Sequence, residues 1–416
     1  MPNDNRGRIP ALRTATLLLA VLAASSALAA GTLTITCLDV GQGDATLVQS
    51  PSGRTLLFDG GDNGKGNSVV VPFLQAAGID TLDWIVASHY HADHIGGLDE
   101  VLAQIPVREA VLDRGWSYTT ATYSSYAAAA GAKRTTLAPG QIIDLGEGVT
   151  VTCVALNGNG QLSAPYSSSS YENEYGVCLK VEYGGFDFFQ AGDLPGNPDS
   201  GSRDIETGVG ALVGDVDVYQ VNHHGSYTSS VAAFLAALQA EVAVVSVGNN
   251  SYGHPHQVVL DRLVLYGSFV YQTETGSGGT LPAQDLRVVG GHVVIATDGG
   301  AAYTVAGDPW QTDESGQSEA PAVPLPPLVL RGNAPNPFNP ATEIRFEALR
   351  AGAGELRIHD VAGRLVLARP LAVQVGANAT RWDGTDLAGR TRPAGVYLYT
   401  VVVPGGAGHG RMLLLK

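Results

Sequence analysis

Positive charge is scarce in this 416-residue chain: 24 Lys and Arg stand against 39 Asp and Glu, a formal net charge of −15. Such a balance repels nucleic acid and anionic membranes at long range, which weighs against a general polyanion binder but leaves room for a local basic groove. Cysteine is scarce as well. Cys37, Cys153 and Cys178 are an odd set with no CxxC spacing, which excludes a zinc ribbon and a disulfide framework. They read as small buried residues, or, in an oxidising compartment, Cys153 and Cys178 pair across predicted strands. GxSxG, Walker and HExxH motifs are missing, so serine hydrolases, NTPases and zincins lose their main signatures. No stretch approaches the roughly 20 apolar residues that a membrane span needs.

What is present points to export and to two folded units. A chain of 416 residues that is 44% hydrophobic can bury more than one core. Arg6, Arg8 and Arg13 precede the apolar stretch Ala15–Ala24 and then Ala27-Leu28-Ala29. This order reads as a secretory signal peptide over residues 1–29, which predicts a secreted or cell-surface mature chain without a transmembrane span. From Leu33, short β-rich runs (LTITCLDV, ATLVQS, TLLFDGG, DWIVAS) alternate with Gly/Asp turns. Further strands are predicted at Ala110–Asp113, Val149–Leu156, Tyr175–Tyr183, Phe186–Ala191, Val216–Asn222, Glu241–Val247, Phe269–Thr273 and His292–Ala296. Helices are predicted at Val69–Ala77, Gly97–Gln104, Ser229–Leu238 and Gln257–Tyr266. Residues 30–307 are therefore expected to form a layered α/β (α+β) domain. Residues 308–327, rich in Pro, Ser and acidic side chains, read as a linker. Residues 328–416 alternate short strands with Gly/Asn/Asp turns, the pattern of a small all-β sandwich.

The densest chemistry lies in SHYHADHIGG, where His89, His91, Asp93 and His94 fall together. Alternation puts His89 and His91 on one side of an extended chain, and Asp93 and His94 follow as the chain turns toward a helix. Imidazoles and carboxylates converging at a strand end suit Zn²⁺, with Mn²⁺ or Fe also compatible. These side chains cannot complete two metal sites. Candidates for the rest occupy other strand ends: Asp193 in AGDL, His223 and His224 in NHHGS, and His254 and His256 in YGHPH. In a layered sheet such ends gather along one edge. Asp39 and Asp44 in LDVGQGDA, and Asp59 and Asp62 in FDGGDN, read either as turn formers or as partners that orient metal-bound histidines. His256, after Pro255, also reads as a helix-entry residue.

HYHADHIGG, with DVGQGDA before it and AGDL, HHGS and YGHPH after it, resembles the metallo-β-lactamase fold. LDVGQGDATLV with HHGS and GHPH narrows the resemblance to the branch containing the extracellular hydrolase domain of the DNA-uptake channel ComEC and secreted phosphorylcholine esterases. The resemblance implies a four-layer αββα sandwich with two divalent metal ions on one edge. It implies that His89 and His91 bind the first ion, Asp93 and His94 the second, that Asp193 bridges them, and that His254 completes the second site. YENEYG, residues 171–176, lacks a His that many members of the wider fold place there, and His223 substitutes at the first ion. Asn173 matches a polar position of the branch, while Gly176 stands where a Ser is frequent. In the C-terminal unit, NAPNPFNPATEIRF, LRIHDVAGRLV, RWDGTDLAGRTRPAGVYLYTV and RMLLLK resemble the FlgD-type Ig-like domain and the type IX secretion sorting domain. That resemblance implies an outer-membrane secretion or surface-attachment machinery as partner.

Two such ions acidify a bridging water to hydroxide and polarise the scissile bond, which gives hydrolysis without a protein nucleophile. Asp93, His224 and His256 are candidates for proton relay or substrate contact. The expected function is a secreted dinuclear hydrolase, with a phosphodiester of DNA or of a phosphorylated surface polymer as substrate. The alternatives are a hydrolase of another ester or amide, or an adhesion protein with structural metals. Lys133-Arg134, or Arg108 with Arg114, can supply part of a basic strip, and otherwise read as solvated surface. The Tyr- and Trp-bearing segments 113–134 and 161–175 offer rings that stack on bases or bind a quaternary amine, or that simply pack.

Overall fold

Both faces of the strands that follow Leu33 are apolar, and this is what makes a sandwich of two sheets covered by helices the stable solution. Leu56 and Phe58 point one way and Leu57 the other, yet all three are buried. The computed structural model describes residues 31–158, 169–197, 201–312, 328–348, 351–361, 363–374, 376–404 and 406–415. The predicted signal peptide, 1–29, lies outside them, as do residues 313–327 of the predicted linker.

In chain order, β1 (Leu33–Cys37), β2 (Thr46–Gln49) and β3 (Thr55–Phe58) lead into α1 (Val71–Ala76), β4 (Leu82–Val86), α2 (Ala92–Ile95), α3 (Leu98–Leu102), β5 (Val107–Asp113), α4 (Ala121–Ala130) and β6 (Arg134–Thr136). Then come β7 (Ile142–Gly146), β8 (Val149–Ala155), β9 (Cys178–Tyr183), β10 (Phe186–Gln190), α5 (Glu206–Val213), β11 (Val218–Gln220), α6 (Ala232–Leu238), β12 (Val242–Val245), α7 (Gln257–Leu265), β13 (Phe269–Gln272) and β14 (Leu286–Val288). Finally β15 (Val293–Thr297), β16 (Ala302–Val305) and β17 (Asp308–Gln311) return to the first sheet. The first sheet runs β17-β16-β15-β1-β2-β3-β4-β5-β6 and the second β14-β13-β12-β11-β10-β9-β8-β7.

Between the sheets, Leu56, Phe58, Val86 and Leu112 share a core with Val151, Phe188, Val218 and Val244. Leu57, Ile85 and Val111 face outward under α1, α3 and α4, and Phe189, Tyr219 and Val245 face outward under α5–α7. This is the expected four-layer αββα sandwich. The strands β3 to β6 are parallel, as are β10 to β14. Their C-terminal ends therefore deliver loops to one edge of the sandwich, where the candidate ligands are found.

Three sequence readings change. The sandwich extends to Gln311, because Asp308–Gln311 pairs with β16 and Trp310 donates its indole N–H to the Tyr271 hydroxyl at 3.2 Å; the linker does not begin at Asp308. Helix α5 was hidden by its glycines, of which Gly210 lies where a Cβ would come within 2.9 Å of the Phe234 ring and so lets α5 close on α6. Cys37, Cys153 and Cys178 are all free thiols in the core, so the Cys153–Cys178 pairing does not form.

The C-terminal region is all-β. It begins with β18 (Leu328–Ala334), β19 (Thr342–Ala348), β20 (Gly352–Asp360) and β21 (Leu365–Val373), and ends with β22 (Gly376–Trp382), β23 (Gly395–Val403) and β24 (Gly406–Leu414). These make a three-stranded and a four-stranded sheet around Ile344, Phe346, Leu356, Ile358, Trp382 and Tyr399. In WDGTDLAGR, Asp383 and Asp386 accept backbone N–H groups two to four residues on, the turn chemistry expected of Asp. Among the described residues no helix is long and apolar enough to cross a membrane.

Candidate metal centre

β4 ends at Val86, and the next residues carry the cluster: Ser88 and His89 are fully buried, and His91 caps α2 with extended backbone, so that Asp93 and His94 occupy its single turn. Gly192-Asp193 follows β10, and Asn222-His223-His224 follows β11. Both histidines of that pair have left-handed backbone, φ 54° at each, which turns both rings toward Asp193.

Asp193 is the centre of the arrangement. Its Oδ2 lies 3.8 Å from His89 Nε2 and 3.4 Å from His223 Nε2, and His91 Nδ1 is 3.0 Å from His89 Nε2. Its Oδ1 lies 3.1 Å from His94 Nε2 and 3.5 Å from His224 Nε2, and the latter is 3.4 Å from Asp93 Oδ2. One carboxylate thus offers one oxygen to each of two donor sets.

Neighbouring hydrogen bonds orient the rings. His94 Nδ1–H donates to Asp59 Oδ2 at 2.9 Å, and His224 Nδ1–H to the Ser246 carbonyl at 3.0 Å. Ser88 Oγ donates to Asp59 at 2.6 Å, so it accepts from His89 Nδ1–H at 3.0 Å. Thr228 Oγ1 donates to Ser226 Oγ and accepts from His223 Nδ1–H at 2.9 Å. With the proton on Nδ1 in all four rings, the Nε2 lone pairs face Asp193.

Lone pairs crowded against carboxylate oxygens repel unless a cation lies among them. His94 Nε2, His224 Nε2 and Asp193 Oδ1 are buried and, among the described residues, have no hydrogen-bond partner. The titration behaviour expresses the same demand. Burial drives Asp193 up, but His223, His94 and His224 outweigh it and hold the carboxyl well below its usual range. Burial lowers His94, yet Asp193 and Asp93 push it well above the ordinary imidazole range, while burial with His94 and His91 holds His89 well below. Such a set of imidazole nitrogens and carboxylate oxygens fits divalent cations of the Zn²⁺, Mn²⁺ or Fe type.

The other candidate residues divide. Asp59 orients both histidine sets, and Asn173 Nδ2 donates to Asp193 Oδ2 at 3.4 Å. Asp44, fully buried, stands on the Nδ1 side of His94 and His224, at 3.8 and 3.7 Å. His224 takes the place expected for His254: its ring, not that of His254, meets Asp93 and Asp193. His224 thus stands among the donors that could hold a cation. His254 lies outside, its ring 5.5 Å from His223, with Nδ1 unpartnered among the described residues. His256 is the N-cap residue of α7, and its Nδ1 accepts the Tyr227 N–H. Asp39 bonds the Gly41 N–H and is hydrogen-bonded to Glu274, away from the cluster, and Asp62 is an exposed turn former. Asp39 meets a histidine outside the cluster, its N–H donating to His292 Nδ1 at 2.8 Å.

Each of the four cations considered for a basic strip has a partner within the protein. Arg114 is 1% exposed, bidentate to Glu172 at 2.8 and 2.7 Å, and stacked over Tyr90 and Tyr175. Arg108 pairs with Asp83, Arg134 with Asp113, and Lys133 bonds the Arg108 carbonyl. The segment 113–134 mostly packs: Tyr123 and Tyr126 are buried on α4 against Tyr90. Tyr166 lies outside the described residues. Ser88, Thr228, Glu172 and Arg114 had no motif to betray their part; only the position of Ser88 directly before HYH is suggestive.

A double-sheet sandwich with this edge cluster defines a metallo-hydrolase scaffold, and the chain belongs to the metallo-beta-lactamase superfamily, whose sequence model matches residues 38–248. It is 29% identical over 277 residues to ComE operon protein 3 of Bacillus subtilis (strain 168), covering 61% of this chain and 33% of that protein. It is 31% identical over 266 residues to competence protein ComA of Neisseria gonorrhoeae, covering 61% and 34%. The chain thus spans about a third of the length of these relatives. Among solved structures, a diphosphatase of the PhnP family is similar at 16% identity and a TM-score of 0.34, over 57% of this chain and 94% of that one.

Proposed function

We propose that the chain is a secreted or surface-attached phosphodiesterase whose two divalent cations are held by His89, His91, His223 and Asp193 Oδ2 on one side, and by Asp93, His94, His224 and Asp193 Oδ1 on the other. The observation that carries this reading is the division of the two Asp193 oxygens between two sets of Nε2 lone pairs. Bound there, the cations supply Lewis acidity toward water and toward the phosphoryl oxygens. The chain's own residues do the rest. Asp59, Ser88, Thr228 and the Ser246 carbonyl hold the Nδ1 protons, Asn173 steadies Asp193, and the buried His254 packs beside His223.

A phosphodiester is favoured over other esters by two lines of support. Relatives bear competence names, and the motif set resembles a branch acting on nucleic acid and phosphorylated polymers. Aromatic rings also flank the centre: the exposed Tyr252 stacks on His254 at 5.6 Å, the exposed Tyr227 meets His256 at 5.2 Å, and the half-buried Tyr118 lies 6.4 Å from His91. With its candidate cations paired, the surface meets a phosphate at the centre rather than along a basic groove, which suits a short or single-stranded substrate better than a duplex. The N-terminal signal peptide and the FlgD-type C-terminal unit belong to the same proposal: export, then sorting or attachment at the cell surface.

The test is the purified protein with its metals quantified, assayed on bis-p-nitrophenyl phosphate, single-stranded DNA, a phosphorylcholine ester and a β-lactam. Two metals per chain with phosphodiester cleavage are expected. Metal-free protein sinks the mechanism; lactam turnover without phosphodiester cleavage sinks the substrate class. A metal-loaded protein inert on every substrate yet retained on cells is a binding protein. His224→Ala is expected to lower the stoichiometry from two metals toward one, and His254→Ala to leave both; the reverse result restores His254 as the ligand. Tyr252→Ala is expected to lower kcat/KM on a single-stranded oligonucleotide by about 5- to 100-fold, the worth of one stacked base, and to leave a base-free sugar–phosphate oligomer unaffected. Equal losses on both oligomers remove stacking from the account.

A further inference from the structure

Helix α5 contributes no donor to the cluster, yet its first residue, Glu206, is a fully buried carboxylate. Glu206 Oε1 accepts Asn222 Nδ2–H and the Ser230 N–H, each at 2.7 Å, and Oε2 accepts the Val231 N–H at 2.8 Å. These donors bracket the segment 222–231, which carries His223, His224 and Thr228. Three non-glycine residues in this segment, His223, His224 and Ser230, have left-handed backbone, with φ of 54°, 54° and 53°. Such conformations persist only where surrounding contacts enforce them.

Further contacts hold the same turn. Arg262 of α7 donates to the Ser230 carbonyl at 2.7 Å, so a carboxylate gathers the N–H groups of this turn while a guanidinium gathers its carbonyls. The loop after β10 is laced to the same turn: Gly196 and Asn197 N–H donate to the Thr228 carbonyl, each at 2.9 Å, and Ser229 Oγ donates to the Leu194 carbonyl at 2.8 Å. Gly196 must lack a side chain, because a Cβ there would meet Glu206 Oε2 at 2.2 Å. Burial raises the Glu206 carboxyl to about 7 against the pull of Asn222, the two backbone N–H groups and Arg262, a desolvation that the fold sustains at this position.

We propose that Glu206 is a positioning residue of the metal centre, clamping both ends of the segment that presents His223 and His224 and locking it to the loop that presents Asp193. This rests on the proposed reading of the centre. Glu206→Gln replaces one acceptor oxygen with an amide that confronts N–H donors, and the segment loses its clamp. The expected result is a 10- to 100-fold weaker binding of Zn²⁺ in chelator competition, the usual penalty for losing a group behind the ligands, with an altered visible spectrum of the Co²⁺-substituted protein. Glu206→Asp, which keeps both oxygens, should recover part of the affinity. Leu263→Ala, in the same core layer, is the structural control: it should lower Tm while leaving Zn²⁺ affinity unchanged. If Glu206→Gln does not fold, Gly196→Ala, which drives a methyl group onto Oε2 without changing charge, is expected to weaken Zn²⁺ binding in the same way. Affinity within twofold of wild type in Glu206→Gln or Gly196→Ala, or an equal loss in Leu263→Ala, overturns the proposal. Wild-type protein that binds no metal overturns instead the reading of the centre on which it rests.

Discussion

Asp193→Ala is expected to lower phosphodiester turnover by about 10³-fold or more and to leave at most one metal per chain. The estimate follows from removing the oxygen atoms shared by both donor sets: losing several kcal/mol of charge stabilisation at about 1.4 kcal/mol per tenfold gives that order. The structure sharpens the expectation. His94 and His224 meet the same oxygen, Oδ1, and His89 and His223 meet Oδ2, so one substitution strips both sets at once. Single-turnover kinetics with metal analysis is the measurement. Turnover within tenfold of wild type, with two metals still bound, would show that the carboxylate is not the hub.

Glu172→Ala is expected to destabilise the hydrolase unit by about 3–5 kcal/mol, because it leaves the Arg114 guanidinium buried without its partner. Arg114 and Glu172 are 1% and 2% exposed, and Glu172 Oε1 also accepts the Tyr90 N–H at 2.9 Å. The pair therefore fastens the HYH segment to the 169–175 turn that carries Asn173. For a unit of this size the loss corresponds to a Tm lower by roughly 10 °C. Replacing both residues by Met should recover much of it, since paired buried charges are often neutral against apolar residues of similar volume. Denaturant unfolding of the single and double variants decides the matter; a single variant within 1 kcal/mol of wild type refutes the lock.

The layered fold was legible because its strands read as continuous apolar runs ended by Gly and Asp turns. HYHADH was legible because its donors are neighbours in sequence. The choice between His224 and His254 was not, since in an extended chain adjacent side chains diverge and only one of the pair His223-His224 reaches a given site. The left-handed backbone at both residues breaks that expectation. Strand β17 was hidden by Pro309 and its acidic neighbours, which an edge strand paired only to β16 tolerates. Arg114–Glu172 and Glu206–Asn222 join residues 58 and 16 positions apart, and no periodicity announces such pairs. Arg114 illustrates the cost: as a sequence feature it reads as surface charge, and in the fold it is a core residue.

His89, His91, Asp93 and His94 hang from the first sheet, and Asp193, His223 and His224 from the second. Whatever cations bind there rivet the two halves of the sandwich together at one rim, a tie that an unfolded chain does not possess. Occupancy is then a term in folding itself, worth about 2.7 kcal/mol for each site at a free ion concentration one hundred times its dissociation constant. The durability of the scaffold is then set partly by the ionic content of the medium around it.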